Sequence, residues 1–368
     1  MRIGVNALYL IPGEVGGTEI YLRSLLEALA VVEARNEYFV YASRELDAGI
    51  VPDSPRFRLI RTSVAARNRP ARILYEQMIL PFLLRKHRVN VLLNPGFTAP
   101  FFSPAPSVAV FHDLQHKRHP EFFRWFDLPF WNLLLWASAR RSRSLIAVSE
   151  ATASDLERYY PGSRARTRVV PHGVDPEFFR VGERRQPIPD KPYLLTVSTL
   201  HPHKNLARLL EAFRDFHRSR PDFSLVIAGL RGHAAESLQR IRREFGLEES
   251  VRFTGWIPRE ELYRLFEFAD AFVAPSLFEG FGMPILEALA AGIPLGCSSI
   301  APFDALVGDA ALRFSPDSTE AITAAMDRLT SDSAFRARAR VAGPERASRF
   351  DWDRTARLTL EVIEKAAV

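Results

Sequence analysis

Apolar residues follow two spacings along this chain, and the two take turns. Short, nearly unbroken runs read as buried strands: Ile3-Gly4-Val5-Asn6-Ala7-Leu8, Tyr38–Tyr41, Val89–Leu93, Val108–Phe111 and Leu145–Val148. Between them lie stretches with helical spacing, beginning with Thr18–Ala30, where Ile20, Leu22, Leu25, Leu26 and Leu29 are apolar. Strands alternating with helices predict a parallel sheet covered on both faces. The alternation pauses at Phe179–Pro192, which has three prolines, a run of charges and no apolar period, and so reads as a linker. A second series follows, with strands at Tyr193–Val197, Ser224–Ala228, Val251–Thr254, Ala271–Ala274 and Ile293–Cys297. Helices at Asn205–Arg218 and Arg259–Phe268 fall between them. A last amphipathic helix runs over Trp352–Ala366. The pattern predicts an α/β protein of two doubly wound domains with a cleft between them. Their expected bounds are 1–178 and 193–349, joined by a linker at 179–192 and followed by a terminal segment at 350–368.

Composition narrows this picture without changing it. A length of 368 residues suits about two domains. With 47% hydrophobic and 25% charged residues, disorder and a disulfide scaffold are excluded. The one cysteine, Cys297, lies in a strand pattern, reads as core filler and suits a reducing compartment. No apolar run reaches the ~18 residues of a spanning helix. The first residues form a strand pattern with no signal-peptide core. A soluble, cytoplasmic chain is expected.

Charge adds something new. The net charge of +6 is uneven: residues 1–186 hold 26 Lys+Arg against 18 Asp+Glu, and residues 187–368 hold 23 against 25. Between 56 and 88 stand Arg56, Arg58, Arg61, Arg67, Arg69, Arg72, Arg85, Lys86 and Arg88, with Glu76 the single acid. Such a segment suits an anionic membrane surface or a phosphorylated ligand, or is simply a solvated face. Nucleic acid is not expected, since no aromatic-interleaved basic motif or helix-turn-helix pattern accompanies the charge.

Four motifs carry candidate chemistry. In Pro275–Ala290 a strand ends in a turn with Gly280 and Gly282, and Pro284 then opens a helix. The glycines let backbone N–H groups approach a ligand, and a helix N-terminus favours an anion such as phosphate. Glu279 in the turn and Glu287 in the helix suit the hydroxyls of a sugar. The second motif is Ser198-Thr199-Leu200-His201-Pro202-His203-Lys204-Asn205. The chain has five lysines against 44 arginines, so Lys204 at a strand-to-helix corner reads as a point charge for phosphate. Third, the glycine turn from Pro12 to Glu19, with Gly16 and Gly17, feeds a helix N-terminus. Its spacing is neither GxGxxG nor a P-loop. Fourth, His112 and Asp113 stand at a strand end, where α/β sheets place ligands. Asp351-Trp352-Asp353 has the D-x-D form but sits where a helix cap is needed. His112, His116 and His119 lack a completing ligand, so no metal is expected.

Taken together, these residues resemble family 4 of the retaining nucleotide-sugar glycosyltransferases, over nearly the whole chain. The most specific element is E-x7-E, Glu279 to Glu287 in EGFGMPILE. Around it stand GGTE (Gly16–Glu19), HDL (His112–Leu114), AVSEATASDL (Ala147–Leu156), VVPHGVD (Val169–Asp175), HKN (His203–Asn205), VRFTGWIP (Val251–Pro258) and FADAFVAPS (Phe268–Ser276). The resemblance implies the GT-B fold, with the last helix crossing back onto the N-terminal domain. It implies retaining, metal-independent transfer without a cofactor, from a nucleotide-sugar donor to a polysaccharide or lipid-linked acceptor, on the inner face of the membrane where the acceptor is lipid-bound. Glu279 and the N–H groups around Gly280, Phe281, Gly282 and Met283 would hold the donor sugar and its leaving phosphate. Glu287 would bind the ribose. Lys204, within His203–Asn205, would neutralise the diphosphate, and His112 would contact the sugar near its 6-hydroxyl. Gly16 and Gly17 would lie at the cleft, and Trp256 and Ile257 would border the base.

The chain departs from the pattern at Thr199, where many relatives carry a second cation. His203 or Arg231 is the expected replacement. The stretches STLHPHKN and HDLQHKRHPEFF look most like members that use a GDP-mannose-type donor. The readings that compete are a UDP-sugar donor, a pyridoxal-phosphate phosphorylase and a non-catalytic nucleotide-sugar sensor.

Overall fold

Fully apolar strands such as Val91–Leu93 need cover on both faces, and the sequence supplies it by sending the chain through a helix after nearly every strand. The computed structural model describes residues 1–14, 16–184 and 191–368. It separates into two units, Met1–Gly173 together with Asp351–Val368, and Val174–Phe350.

In the first unit, seven parallel strands are β1 (Arg2–Ala7), β2 (Glu37–Ala42), β3 (Phe57–Arg61), β4 (Val91–Asn94), β5 (Ser107–Phe111), β6 (Ser144–Ala147) and β7 (Thr167–Val169). They lie in the order β3-β2-β1-β4-β5-β6-β7. The order reverses between β1 and β4, the position where such sheets take ligands at the carboxyl ends of the strands. Helix α1 (Gly17–Val32) packs against the last helix, Trp352–Ala367. That helix buries Ala356, Val362, Ile363 and Ala366, and Thr355 Oγ1 donates to the Pro171 carbonyl at 2.8 Å. Gly173 leaves no room for a side chain, since a Cβ there would stand 2.3 Å from the Trp352 nitrogen. Asp351 caps the helix, accepting from the Arg354 N–H at 2.7 Å.

The second unit repeats the plan with six parallel strands: β8 (Tyr193–Val197), β9 (Ser224–Ala228), β10 (Val251–Gly255), β11 (Ala271–Ala274), β12 (Leu295–Ser298) and β13 (Leu312–Phe314). Their order is β10-β9-β8-β11-β12-β13, reversing between β8 and β11. Leu194, Leu209, Phe213, Phe216, Ile227 and Met326 lie in one core on this sheet. Cys297 on β12 is fully buried, and burial pushes its thiol up to about 12.

The segment expected to be a linker begins differently. Glu177–Arg184 is a helix that buries Phe178 and Val181, with the Phe178 ring against Tyr263 and Phe266. Its two inward residues are three apart, enough for one helical face but too few to show as a period. Residues 185–190 of the expected linker lie outside the described residues. No helix among the described residues is long and apolar enough to cross a membrane.

Candidate active site

The chemistry of the second unit gathers at the carboxyl ends of β8 and β11, the two strands flanking the reversal. After β8 a short turn, Pro202–Lys204, ends at Asn205, whose left-handed backbone (φ 56°) starts the helix Leu206–Ser219. The Asn205 amide donates to the carbonyls of Pro275 (3.1 Å) and Pro316 (2.8 Å), and the Leu277 N–H donates to the His203 carbonyl at 2.8 Å. These bonds stitch the loop after β8 to the loop after β11. Lys204 Nζ is thereby set 2.5 Å from Glu279 Oε1, which also accepts from Ser276 Oγ at 3.0 Å.

Behind this pair, the helix Met283–Ala290 begins at Gly282. Gly282 has φ 108°, and a Cβ there would meet the Phe303 ring at 2.7 Å, so only glycine serves. The N-terminal end of this helix carries partial positive charge, although Pro284 has no N–H and the Ile285 and Leu286 N–H groups both donate to the Gly282 carbonyl at 3.1 Å. Lys204, Glu279, Ser276, Gly282, Thr196 and Phe303 are among the residues lining one pocket. A cation, a carboxylate and a helix N-terminus in one pocket can hold a sugar hydroxyl and a departing phosphate side by side.

Glu287, one turn into the same helix, is almost completely buried and pairs with Arg259, Oε1 to Nη1 at 3.0 Å. Arg259 also reaches Asp175 (3.4 Å) and Tyr263 (3.2 Å), and stands 4.8 Å over the Phe178 ring. The Tyr263 hydroxyl donates to Asp175. Burial raises the Glu287 carboxyl above its ordinary range, and Arg259 opposes that rise. For Arg259, burial works against the charge, but Glu287, Tyr263 and Asp175 together hold its pKa above the usual value.

The other expected donor residues follow β8, β9 and β10. Thr199 follows β8, with its carbonyl accepting from the His201 N–H. His203 is buried, its ring stacked 5.8 Å from His201. Arg231 is exposed after β9. Trp256 is 60% exposed and Ile257 half-buried, both just after β10. Three residues were missed as candidates: Ser276, Arg259 and Ser198. The Ser198 hydroxyl is buried, has no partner and belongs to a residue lining the pocket. Ser276 is marked only by standing three residues before Glu279, and Arg259 only by following Pro258.

In the first unit, His112 follows β5. Its Nε2 lies 2.9 Å from the Pro95 carbonyl and donates to it, which leaves Nδ1 as an acceptor. The ring packs among Tyr21, Phe97 and His172, and burial lowers its pKa to about 4, so it is neutral near pH 7. Asp113 accepts from the Gln115 N–H and so shapes the next turn. Gly16 precedes α1 with φ 62°, and Gly17 is its first residue. Glu19 fastens this loop by accepting from the Gly13 N–H at 2.8 Å. His116 meets the Tyr160 hydroxyl and His119 meets Glu121. Among the described residues no group of three or more His, Cys, Asp or Glu is placed to hold a metal ion.

Two family models match, one described as Glycosyltransferase Family 4 over residues 15–178 and one as Glycosyl transferases group 1 over residues 182–346. The chain belongs to family 4 of the retaining glycosyltransferases and has the GT-B fold. The O-antigen chain mannosyltransferase B of Escherichia coli is 28% identical over 290 residues, covering 76% of each chain. The D-inositol 3-phosphate glycosyltransferase of Corynebacterium urealyticum is 26% identical and covers 98% of this chain and 95% of that one. Among solved structures, sucrose-phosphate synthase from Thermosynechococcus elongatus superposes with a TM-score of 0.81 at 19% identity, over 99% and 98% of the two chains.

Proposed function

We propose that the enzyme moves mannose from GDP-mannose to a glycan or lipid-linked acceptor. The observation that carries this reading is the Lys204–Glu279 pair in front of the Gly282 helix N-terminus. The similarity to the O-antigen mannosyltransferase supports mannose as the sugar. In the proposed reaction an acceptor hydroxyl oxygen bonds to the anomeric carbon on the face the leaving group departs from. The bond from that carbon to the phosphate oxygen breaks, and the hydroxyl proton passes to the same phosphate. Lys204 and the positive end of the helix Met283–Ala290 stabilise the charge on the departing diphosphate, the part a metal would otherwise play. Glu279 and the N–H groups around Gly280 and Phe281 orient the sugar. Glu287, steadied by Arg259, takes the ribose, and Trp256 and Ile257 border the base. His112 accepts a substrate hydroxyl at Nδ1. Gly16 and Gly17 contribute backbone N–H groups.

A donor panel tests the reading. GDP-mannose should be hydrolysed slowly without acceptor, should give the largest rise in melting temperature among GDP and UDP sugars, and should be turned over in EDTA. A UDP sugar outperforming it would replace the donor, and donor binding without turnover would make the chain a sensor.

A further inference from the structure

The basic segment 56–88 does not behave as one patch. Arg56 is used internally, bonding the carbonyls of Glu33 and Ala30 and pairing with the Glu33 carboxylate. Arg58 lies near Glu37 and over the Phe39 ring, and Arg67 pairs with Glu14. Arg61, Arg85, Lys86 and Arg88 are exposed to solvent. Arg69 and Arg72 fit neither group. Both are partly buried, and among the described residues neither has a carboxylate within 4.0 Å. Arg69 Nη2 and Arg72 Nε are buried nitrogens with no hydrogen-bond partner. An unpartnered buried N–H is costly, and more so on a charged group.

The surroundings explain why the two charges stay unsatisfied. They are three residues apart in the first turns of α2 (Arg69–Met78) and so share a side of it. The acid that would pair with Arg72, Glu76, is already used: Oε2 accepts from Asn6 (3.0 Å) and Thr98 (2.9 Å), and Oε1 accepts from Gln77 (3.1 Å). Arg69 stands 3.9 Å over the Trp131 ring, which fixes the guanidinium plane and leaves its edge open. Burial lowers the pKa of both arginines; Asp127 opposes this at Arg69, and at Arg72 Glu76 opposes it while Arg69 adds to it. Tyr9, which senses the Arg72 charge, follows β1, and its ring lies against Gly96 after β4. These are the carboxyl ends of the two strands where the sheet order reverses.

We propose that Arg69 and Arg72, beside Tyr9 and Trp131, form a phosphate-binding subsite for the acceptor. The inference rests on the proposed transfer reaction and adds to it that the first unit receives the acceptor. Two adjacent guanidinium groups with free edges match a phosphate group's oxygens better than any single cation does. That phosphate belongs either to a soluble sugar phosphate or to a lipid-linked acceptor.

The test uses the full chain. Glycerol 3-phosphate serves as the soluble probe, followed by tryptophan fluorescence. Phosphatidylcholine vesicles with and without phosphatidic acid serve as the lipid probe. Saturable binding to either probe should weaken at least tenfold in the Arg69→Gln, Arg72→Gln double variant and stay unchanged in Arg61→Gln, a change at an exposed arginine of the same segment. The stronger arm identifies the source. The double variant should melt at the wild-type temperature or above, because it loses an unsatisfied charge pair. Lower melting would make the arginines structural and overturn the subsite. So would wild-type binding in the double variant, or no saturable binding in either arm. GDP binding should be unaffected, and its loss would assign the pair to the donor instead. If the wild-type chain fails to turn over any donor while phosphate binding follows this pattern, the transfer reading fails and the subsite stands.

Discussion

Lys204 and Glu279 satisfy each other: Nζ and Oε1 are 2.5 Å apart, and each side chain is less than a fifth exposed. On the proposed reading, a donor phosphate that draws Lys204 toward itself would free the Glu279 carboxylate to take a sugar hydroxyl. Lys204→Ala should lower kcat by about 2–4 kcal/mol of transition-state stabilisation, roughly 30- to 1,000-fold. Steady-state kinetics with the preferred donor check this, and near-wild-type turnover would remove Lys204 from the reaction.

The buried Glu287 gives a pH-dependent prediction. Arg259→Ala leaves a buried carboxylate without its cation, a change that typically costs about 3–5 kcal/mol. The Glu287 pKa is already raised by burial and should rise further without Arg259. A carboxyl with a raised pKa in the fold is penalised once it ionises. The stability deficit of the variant should therefore be full at neutral pH and shrink as pH falls toward the raised value. Melting of both proteins at pH 7.5 and pH 5 tests this, and an equal deficit at both would contradict it.

Three histidines of the first unit set its response to acid. Burial holds His112 and His116 near a pKa of about 4, and His172 well below the ordinary value. Each is neutral in the fold and takes up a proton on unfolding below about pH 6.5. Stability should therefore fall as pH drops from 6.5 toward 4, by at most about 1.4 kcal/mol per pH unit for each group. His116→Gln should flatten this slope in urea unfolding curves, and an unchanged slope would refute the assignment. His112 should add no limb to the pH–rate profile near 6.5.

The membrane reading of segment 56–88 is narrower than the run of charge suggested. Ile73 is buried, but Met78 is 57% exposed, with Leu74 and Phe82 exposed nearby. If a bilayer is the docking partner, these residues with Arg85 and Lys86 should carry it. Co-sedimentation with anionic vesicles should fall in a Phe82→Ser, Arg85→Gln, Lys86→Gln variant, and should fade with salt. Binding unaffected by the triple change would leave this face solvated.

How much was legible depended on how long and how apolar a strand is. The inner strands β1, β4, β5, β8 and β11 are apolar on both faces and stand out as runs. Of the four outermost strands, β10 was read at Val251–Thr254, but β7 and β13, three residues each, are too short to form a run, and Phe-Arg-Leu-Ile-Arg in β3 reads as part of a basic segment. The Lys204, Glu279 and Gly282 cluster was readable because each residue is chemically unusual at its position. Arg259, one of 44 arginines, was not, since its role depends on Glu287, Asp175 and Tyr263 folding around it. The same holds for Arg69 and Arg72, which became distinctive only when their neighbours in the run proved to be paired or exposed.

The helix Trp352–Ala367 completes the first unit from the far end of the chain. A ribosome must therefore make the whole of Val174–Phe350 before α1 can receive its partner helix, a delay of roughly 9–35 s at about 5–20 residues per second. During that interval the face of α1 carrying Tyr21, Leu22, Leu25 and Leu29 lacks part of its native cover. The first unit is begun first and finished last, so a chain cut short anywhere in the second unit leaves the first one open as well.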